Sequence, residues 1–548
     1  MADPDGHATL CARVIVAELI RHGVTDLVLA PGARSAPLAY EAFEADRIGL
    51  LRLHVRLDER TAGFLGLGLA KGSGNPVAVL TTSGTAAANL FPAVLEAAHA
   101  HQPLIMITAS RPRALVNTGA NQTTDQDQLF GRHARGYAAL SDQTADPPTW
   151  RFEVGRLMAA ATGTRTRQPG PVQLNVELSD PLVPTGFDRP PAGEADLAIA
   201  PTGAGRPTEL PAGPQTVIVA GDAPPAIGRE VAQLAERAGV PLLAEPSSNA
   251  RSGPAALGTA RLLAGSNLAE EVERVVVYGH PTLSRPVSRL LARDDLELVV
   301  VSAYADWVDP GRRATVVADA VRFAEPDATE WLARWQQADV ELRQQLEALL
   351  AGLAYFSGPV LAVGLWTALG ERDVVFVGSS SPVRDLDLAP VTAASPTVYA
   401  NRGLAGIDGN VSTAAGIALA TERPTHALLG DLTTLHDLTG LLRPGSEPRP
   451  DLRVVVANDT GGSIFATLEP GRPAHSGAYE RLFGTPHAAD FAALAAAVGC
   501  GYARVSDVPE LKAALTQPPR GVELVEAVID RSQRRTLDAA ITGLAATL

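Results

Sequence analysis

Short apolar runs that break at Gly, Pro, Asn or Asp and hand over to helix-period segments recur along the whole chain. Residues 26–30 form such a run and stop at Pro31-Gly32, and residues 75–81 and 103–108 repeat it. Helical spacing covers residues 10–22 and the segment SGTAAANLFPAVLEAAHA, which reads as one helix. The rhythm resumes with strands at 216–220, 241–244, 275–278 and 298–302, and with helices at 226–238 and 328–354. It returns once more with strands at 427–429 and 452–457. Strands alternating with helices pack as parallel sheets covered on both faces. The expected class is α/β, with three tandem open parallel-sheet domains at residues 1–182, 215–354 and 355–548 and a Pro-rich linker at 183–214.

Several function classes lose support at once. A chain of 548 residues is too long for one core. It holds no uninterrupted apolar stretch of about 18 residues, so no membrane span is expected. Its start, MADPDGHATL, is acidic and leads into no signal-type apolar segment, which points to the cytoplasm. Cys11 and Cys500 stand in no metal-like spacing. The net charge of −14 argues against general nucleic-acid binding while leaving room for arginines around a small anion. The phosphate loop GxxxxGK[ST], HExxH, GxSxG and GxGxxG are all missing, so nucleotide hydrolysis, zinc proteolysis, hydrolase chemistry and nicotinamide binding lack their main signatures.

The stretch from Gly430 to Phe465 carries the most chemistry. Gly430-Asp431 ends one apolar strand and Asn458-Asp459 ends the next, followed by Gly461 and Gly462. Open α/β sheets bind ligands outside the carboxyl ends of their strands. Two oxygen donors there, with glycines that admit close backbone approach, suit a Mg²⁺ holding a diphosphate. Taken alone, the stretch equally suits two ordinary turns rich in Asx and Gly.

Other strand ends carry similar pairs of readings. Arg34 in PGARSAPL is an anion contact or, more simply, a solvated turn arginine. Glu59 opens a glycine-rich helix, where a carboxylate either complements the macrodipole or acts in proton transfer against an apolar wall. Ser83 and Gly84 offer an anion-binding helix start or a plain cap. Arg34, Arg111, Arg285, Arg384 and Arg402, all near strand ends of an acidic protein, together suggest substrates with several carboxylates.

Taken together, PGARSAPL, LDERTAGFLGLGLAKGSG, TTSGTAAANLFPAV, SRP with GANQ, SSSPVRD, NRGLAGIDG with STAAG, and GDL with NDTGGSIF resemble thiamine diphosphate-dependent enzymes over nearly the whole chain. NRGLAGIDG, GANQ and GGSIF are similar to the members of that family in menaquinone biosynthesis. The resemblance implies pyrimidine-binding, central and diphosphate-binding domains, thiamine diphosphate with Mg²⁺ (or Mn²⁺) as cofactors, and a homodimer or dimer of dimers with active sites between chains. It implies a transferase that decarboxylates 2-oxoglutarate and joins the product to isochorismate by conjugate addition.

Site residues follow from the same resemblance. Glu59 would hydrogen-bond the aminopyrimidine ring and act in catalysis with Gln122, Arg384 and Arg402. Ser83, Gly84, Gly430 and the apolar wedge Ile407 would bind the cofactor. Asp431 and the Gly461 carbonyl would hold the metal. Alignment on Gly461-Gly462 puts Asp459 in the third ligand slot, with Asn458 as the alternative, where the family commonly has Asn-Asn. Ser380, Arg384 and Arg402 would hold the donor. Arg34, Arg111, Gln122 and Arg285 would hold the acceptor against Ile464, Phe465 and Leu468. Ala33 and Ser284 depart from the serine and lysine common at their positions. A carboligase of acetolactate-synthase type is the nearest competing reading, opposed by the arginines. A cofactor-free α/β binding protein is another, opposed by Glu59 and Asp431.

Overall fold

The computed structural model describes residues 6–184, 199–203, 205–325 and 329–547. Part of the segment expected as a linker, residues 185–198, lies outside them. The chain forms two compact units. The first takes in Met1–Gly203, Asp408–Glu422 and Asp437–Pro450, and the second Ala204–Ile407, Arg423–His436 and Asp451–Leu548. Two stretches of the C-terminal third therefore cluster with the N-terminal sheet.

The first unit is built on strands β1 (Asp26–Leu29), β2 (Arg52–Val55), β3 (Val77–Thr81), β4 (Leu104–Ser110), β5 (Tyr137–Ser141) and β6 (Val172–Glu177). They run parallel in the order β2-β1-β3-β4-β6-β5. β1, β3 and β4 are buried along their whole length, as strands covered on both faces must be. Ile15, Leu19, Leu27, Ile107, Trp150 and Leu174 belong to the core beside them. The single helix expected from Ser83 onward is two helices, Thr85–Ala88 and Phe91–His99. Pro92 has no N–H to continue the ladder and is tolerated only in a first turn, so a new helix starts at Phe91.

The second unit holds β7 (Thr208–Leu210), β8 (Thr216–Ala220), β9 (Leu242–Ala244), β10 (Arg274–Tyr278), β11 (Glu297–Val301), β12 (Val316–Ala318) and β13 (Val321–Phe323). It also holds β14 (Val374–Val377), β15 (Thr397–Tyr399), β16 (Thr425–Gly430), β17 (Leu452–Asn458), β18 (Gly501–Val505) and β19 (Val522–Val528). One sheet is ordered β12-β11-β10-β8-β9 and another β15-β14-β16-β17-β19-β18, with β13 paired to β7 apart from them. Every pairing is parallel. Three open parallel sheets are what the alternation of runs predicts. In the last of them the strand order reverses at β14, which has β15 on one side and β16 on the other. That reversal leaves a crevice at the carboxyl ends of β14 and β16.

Candidate active site

The crevice at the β14/β16 reversal is a pocket within the second unit. Ser380, from the turn after β14, lines it with Gly430 and Asp431 at the end of β16. Asp459 and Gly461 beyond β17, the exposed Ile407, and Ile464 and Phe465 complete the part that the sequence anticipates. Ser380 adopts φ 71° at the start of helix Ser381–Leu386, a left-handed conformation that turns the chain sharply there. Ile464 and Phe465 lie in the short helical turn Ser463–Thr467, where the Phe465 ring stands 5.6 Å from that of Phe483. Leu468, Arg285, Arg384 and Arg402 are not part of the lining.

Asp431 is buried and held by three donors. Its Oδ2 accepts the Gly461 N–H at 2.9 Å and the His487 Nε2 at 3.0 Å, and its Oδ1 accepts the Leu432 N–H at 2.6 Å. His487 Nδ1 accepts the Ala489 N–H at 3.2 Å, which leaves the proton on Nε2 to be donated to Asp431. Asp459 is also buried, and its Oδ1 has no hydrogen-bond partner. Burial, then the neighbouring Asp431 charge, pushes its carboxyl up to about 7. An open carboxylate oxygen beside a second buried carboxylate calls for a cation.

Asn458 competes poorly for that role. Its Nδ2 donates to Glu526 Oε1 at 2.6 Å, and its Oδ1 accepts the Thr460 N–H at 3.0 Å, so both ends are in use. Gly461 is required by close approach, since a Cβ there would stand 2.2 Å from the Gly484 carbonyl oxygen. Among the described residues no group of three or more His, Cys, Asp and Glu side chains could hold a metal. Two carboxylates and a backbone carbonyl leave the remaining positions to water or ligand oxygens, which suits Mg²⁺ and not zinc.

The arginines of this unit occupy different surroundings. Arg384 Nη1 donates to the Ser380 carbonyl at 2.7 Å, and burial, then the like charges of Arg402 and Arg261, lowers its pKa. Arg402 is buried and donates from Nη2 to the Thr282 hydroxyl at 2.7 Å. Arg285 is exposed, 3.4 Å from Glu469, at the start of helix Arg285–Leu291. Ser284 caps that helix by accepting the Val287 N–H at 3.3 Å.

In the first unit, helix Glu59–Ser73 is capped by Asp58, whose carboxylate accepts the Arg60 and Thr61 N–H groups at 2.8 and 3.2 Å. Capping is thus done by Asp58, and the Glu59 carboxylate makes no hydrogen bond among the described residues. Arg34 is not the solvated turn residue that its position alone suggests. It is buried, donates to the Leu178 carbonyl at 2.8 Å, and is depressed by burial and by the like charge of Arg111. Arg111 keeps a buried Nε without a partner. A pair of cations held together in this way would suit an anion.

The helix start at Ser83-Gly84 differs from the free anion cradle expected. Ser83 Oγ donates to the Gln122 carbonyl at 2.8 Å, Gln122 Nε2 donates to the Ser83 carbonyl at 3.1 Å, and the Gly84 N–H donates to Gln126 Oε1 at 2.9 Å. These bonds fasten the loop that carries Gln122 instead of leaving donors open. Gln126, His487, Thr282 and Glu245 escaped the sequence reading, because each acts through a partner at least 37 residues away. A faint signal existed for Gln126. Its partner Asn175 and the neighbouring Gln173 are buried polar residues alternating with Val172, Leu174 and Val176 in β6.

Comparison with known proteins follows the same outline. Residues 10–129 match the thiamine pyrophosphate enzyme N-terminal TPP binding domain, and residues 388–524 match the corresponding C-terminal TPP binding domain. The chain is 49% identical over 541 residues to 2-succinyl-5-enolpyruvyl-6-hydroxy-3-cyclohexene-1-carboxylate synthase from Kineococcus radiotolerans, covering 96% of this chain and 97% of that one. It is 47% identical to the synthase of the same name from Nocardioides sp., covering 98% of each. Among solved structures, benzoylformate decarboxylase from Polynucleobacter necessarius superposes with a TM-score of 0.68 at 18% identity, over 95% of this chain and 99% of that one, a likeness of fold.

Proposed function

The chain belongs to the 2-succinyl-5-enolpyruvyl-6-hydroxy-3-cyclohexene-1-carboxylate synthases, which are thiamine diphosphate-dependent enzymes, and from that premise we propose the part each of its residues plays. The reaction is decarboxylation of 2-oxoglutarate and conjugate addition of the remaining four-carbon unit to isochorismate, a step of menaquinone biosynthesis. The observation that carries the site assignment is the open Oδ1 of buried Asp459 beside buried Asp431.

When bound, thiamine diphosphate supplies the carbon nucleophile and the electron sink for CO₂ loss. The residues of this chain bind and orient. Asp431, Asp459 and the Gly461 carbonyl would hold Mg²⁺ against the diphosphate, with Mn²⁺ as an oxygen-loving substitute. His487 keeps the Asp431 carboxylate turned toward that position. Gly430 would let backbone approach the diphosphate, and the apolar Ile407 side chain in the same pocket would support the cofactor. Glu59 holds a proton toward the aminopyrimidine ring nitrogen, and its lack of a competing hydrogen bond in the first unit suits that task. Ser83 and Gly84 serve the cofactor through the loop they fasten.

Arg384 and Arg402, with Ser380, take the donor's carboxylates by charge-assisted hydrogen bonds. Arg34 and Arg111 form the anion site for the acceptor, with Gln122 and Arg285, while Ile464, Phe465 and Leu468 exclude water from its ring. We read residues 1–182 as the pyrimidine-binding domain, 215–354 as the central domain and 355–548 as the diphosphate-binding domain, with 183–214 joining the first two. The working form is a cytoplasmic homodimer, alone or paired into a tetramer, with Glu59 reaching the cofactor from the second subunit. No described helix is long and apolar enough to cross a membrane.

Buried arginines favour a dicarboxylate donor over pyruvate, so the acetolactate-type reading has no observation in its support. CO₂ release from the protein with thiamine diphosphate and Mg²⁺ should proceed with 2-oxoglutarate and be slight with pyruvate. A preference for pyruvate would remove the donor assignment.

A further inference from the structure

Arg402 comes from the segment after β15, and a guanidinium on a long side chain needs a partner to fix its direction. The structure supplies one in two steps. Arg402, only 4% exposed, donates from Nη2 to Thr282 Oγ1 at 2.7 Å. Thr282 lies on the loop after β10, and that loop is itself tied down. Glu245, the residue after β9, is 7% exposed and accepts with one oxygen, Oε1, both the Thr282 N–H at 2.9 Å and the Leu283 N–H at 2.8 Å. Burial pushes the Glu245 carboxyl up to about 8, against the pull of the Leu283 N–H and the Arg402 charge. A carboxyl group buried in this way, with one oxygen accepting two consecutive backbone donors, holds one short loop in one place.

We propose that Glu245 and Thr282 are positioning residues for donor selection: Glu245 pins the loop after β10, and the Thr282 hydroxyl on it aims the Arg402 guanidinium at a carboxylate of the 2-oxo acid. The inference rests on the assignment of Arg402 to the donor. It gives the central sheet a part in the reaction, since both β9 and β10 present their carboxyl ends to this chain of hydrogen bonds. It also names what distinguishes a dicarboxylate donor from pyruvate in this protein, namely an arginine held in register by residues that touch no substrate.

Thr282 is exposed, so valine there removes the hydroxyl with little disturbance of packing. Steady-state kinetics of the holoenzyme, followed by CO₂ release, test the proposal. Thr282→Val should raise KM for 2-oxoglutarate roughly tenfold, the lower range for losing a hydrogen bond to a charged group. The KM for isochorismate, kcat and the unfolding temperature should stay near those of the parent, and Thr282→Ser should restore the donor KM. Glu245→Asp, which withdraws the carboxylate by one methylene, should shift the donor KM in the same direction and supplies the test if the valine variant does not fold. An unchanged donor KM in both variants, or an equal rise for both substrates, overturns the positioning role. No CO₂ release from 2-oxoglutarate by the parent holoenzyme overturns instead the donor assignment on which it rests.

Discussion

Glu59 and Asp459 show how far single residues are legible. Glu59 stands in a first helical turn, where a carboxylate needs no special reason, and only the structure assigns the capping to Asp58. Glu59→Gln should fold like the parent and lower kcat/KM by at least about 10²-fold, the lower range for removing a proton-transfer partner. Unfolding temperature and kinetics measured together check this, and near-parent turnover would contradict it. Alignment of the glycine pair with the related family favours Asp459 over Asn458 as the proposed ligand, and the engagement of Asn458 with Glu526 and Thr460 supports that choice. His487, Thr282 and Glu245 could not be found in this way, because a hydrogen bond across many residues leaves no local pattern.

Asp459 also makes a pH prediction. Its carboxyl is raised to about 7 by burial and by Asp431, so between the unfolded carboxylate range near pH 4 and about pH 7 the folded protein binds the extra proton. Without divalent metal, stability should fall as pH rises through that window, by at most about 1.4 kcal/mol for each pH unit crossed. Asp459→Asn removes the effect. The metal-free variant should unfold at a higher temperature than the parent above pH 7 and at a similar one near pH 4. It should also gain less on adding Mg²⁺, having lost a charged ligand. Thermal scans across pH, with and without Mg²⁺, give both results.

At the scale of elements, the glycines of FLGLGLAKG explain themselves by packing. Helix Glu59–Ser73 crosses helix Asn410–Thr421 within the first unit at backbone distance. A Cβ at Gly68 would stand 2.1 Å from the Thr413 carbonyl oxygen, and one at Gly416 would stand 2.3 Å from that of Leu65. Gly68→Ala should therefore destabilise the protein by about 1–3 kcal/mol, the usual range for overpacking. Urea unfolding is the check, and a neutral result would mean that the two helices separate freely. The strands were legible because β-branched runs such as those of β10 and β17 are buried on both faces and end at turn residues. The pairing of two helices so far apart in sequence was not, since glycines in a helix announce closeness without naming the partner.

For the molecule as a whole, the motifs divide between the units. Glu59, Arg34 and Arg111 belong to the first, and Asp431, Asp459, Arg384 and Arg402 to the second. If active sites form between subunits, two inactive variants should complement each other. Glu59→Gln and Asp431→Asn, each nearly inactive alone, should regain a substantial fraction of parent activity when unfolded together and refolded as mixed dimers. Failure of a verified mixed dimer to recover activity would place both residues in one subunit's site. The three sheets were readable because each is assembled from consecutive βα units. The grouping of Asp408–Glu422 and Asp437–Pro450 with the N-terminal sheet was hidden, because it depends on contacts between distant parts of the chain.

The reaction itself is tested most directly by product analysis. The protein is mixed with thiamine diphosphate, Mg²⁺, 2-oxoglutarate and isochorismate, and CO₂ and the organic product are followed together by mass spectrometry. The account predicts one CO₂ for each molecule of 2-succinyl-5-enolpyruvyl-6-hydroxy-3-cyclohexene-1-carboxylate, with the adduct lost when any one component is left out. CO₂ release without the adduct, or an adduct that carries a pyruvate-derived unit in preference, would contradict it.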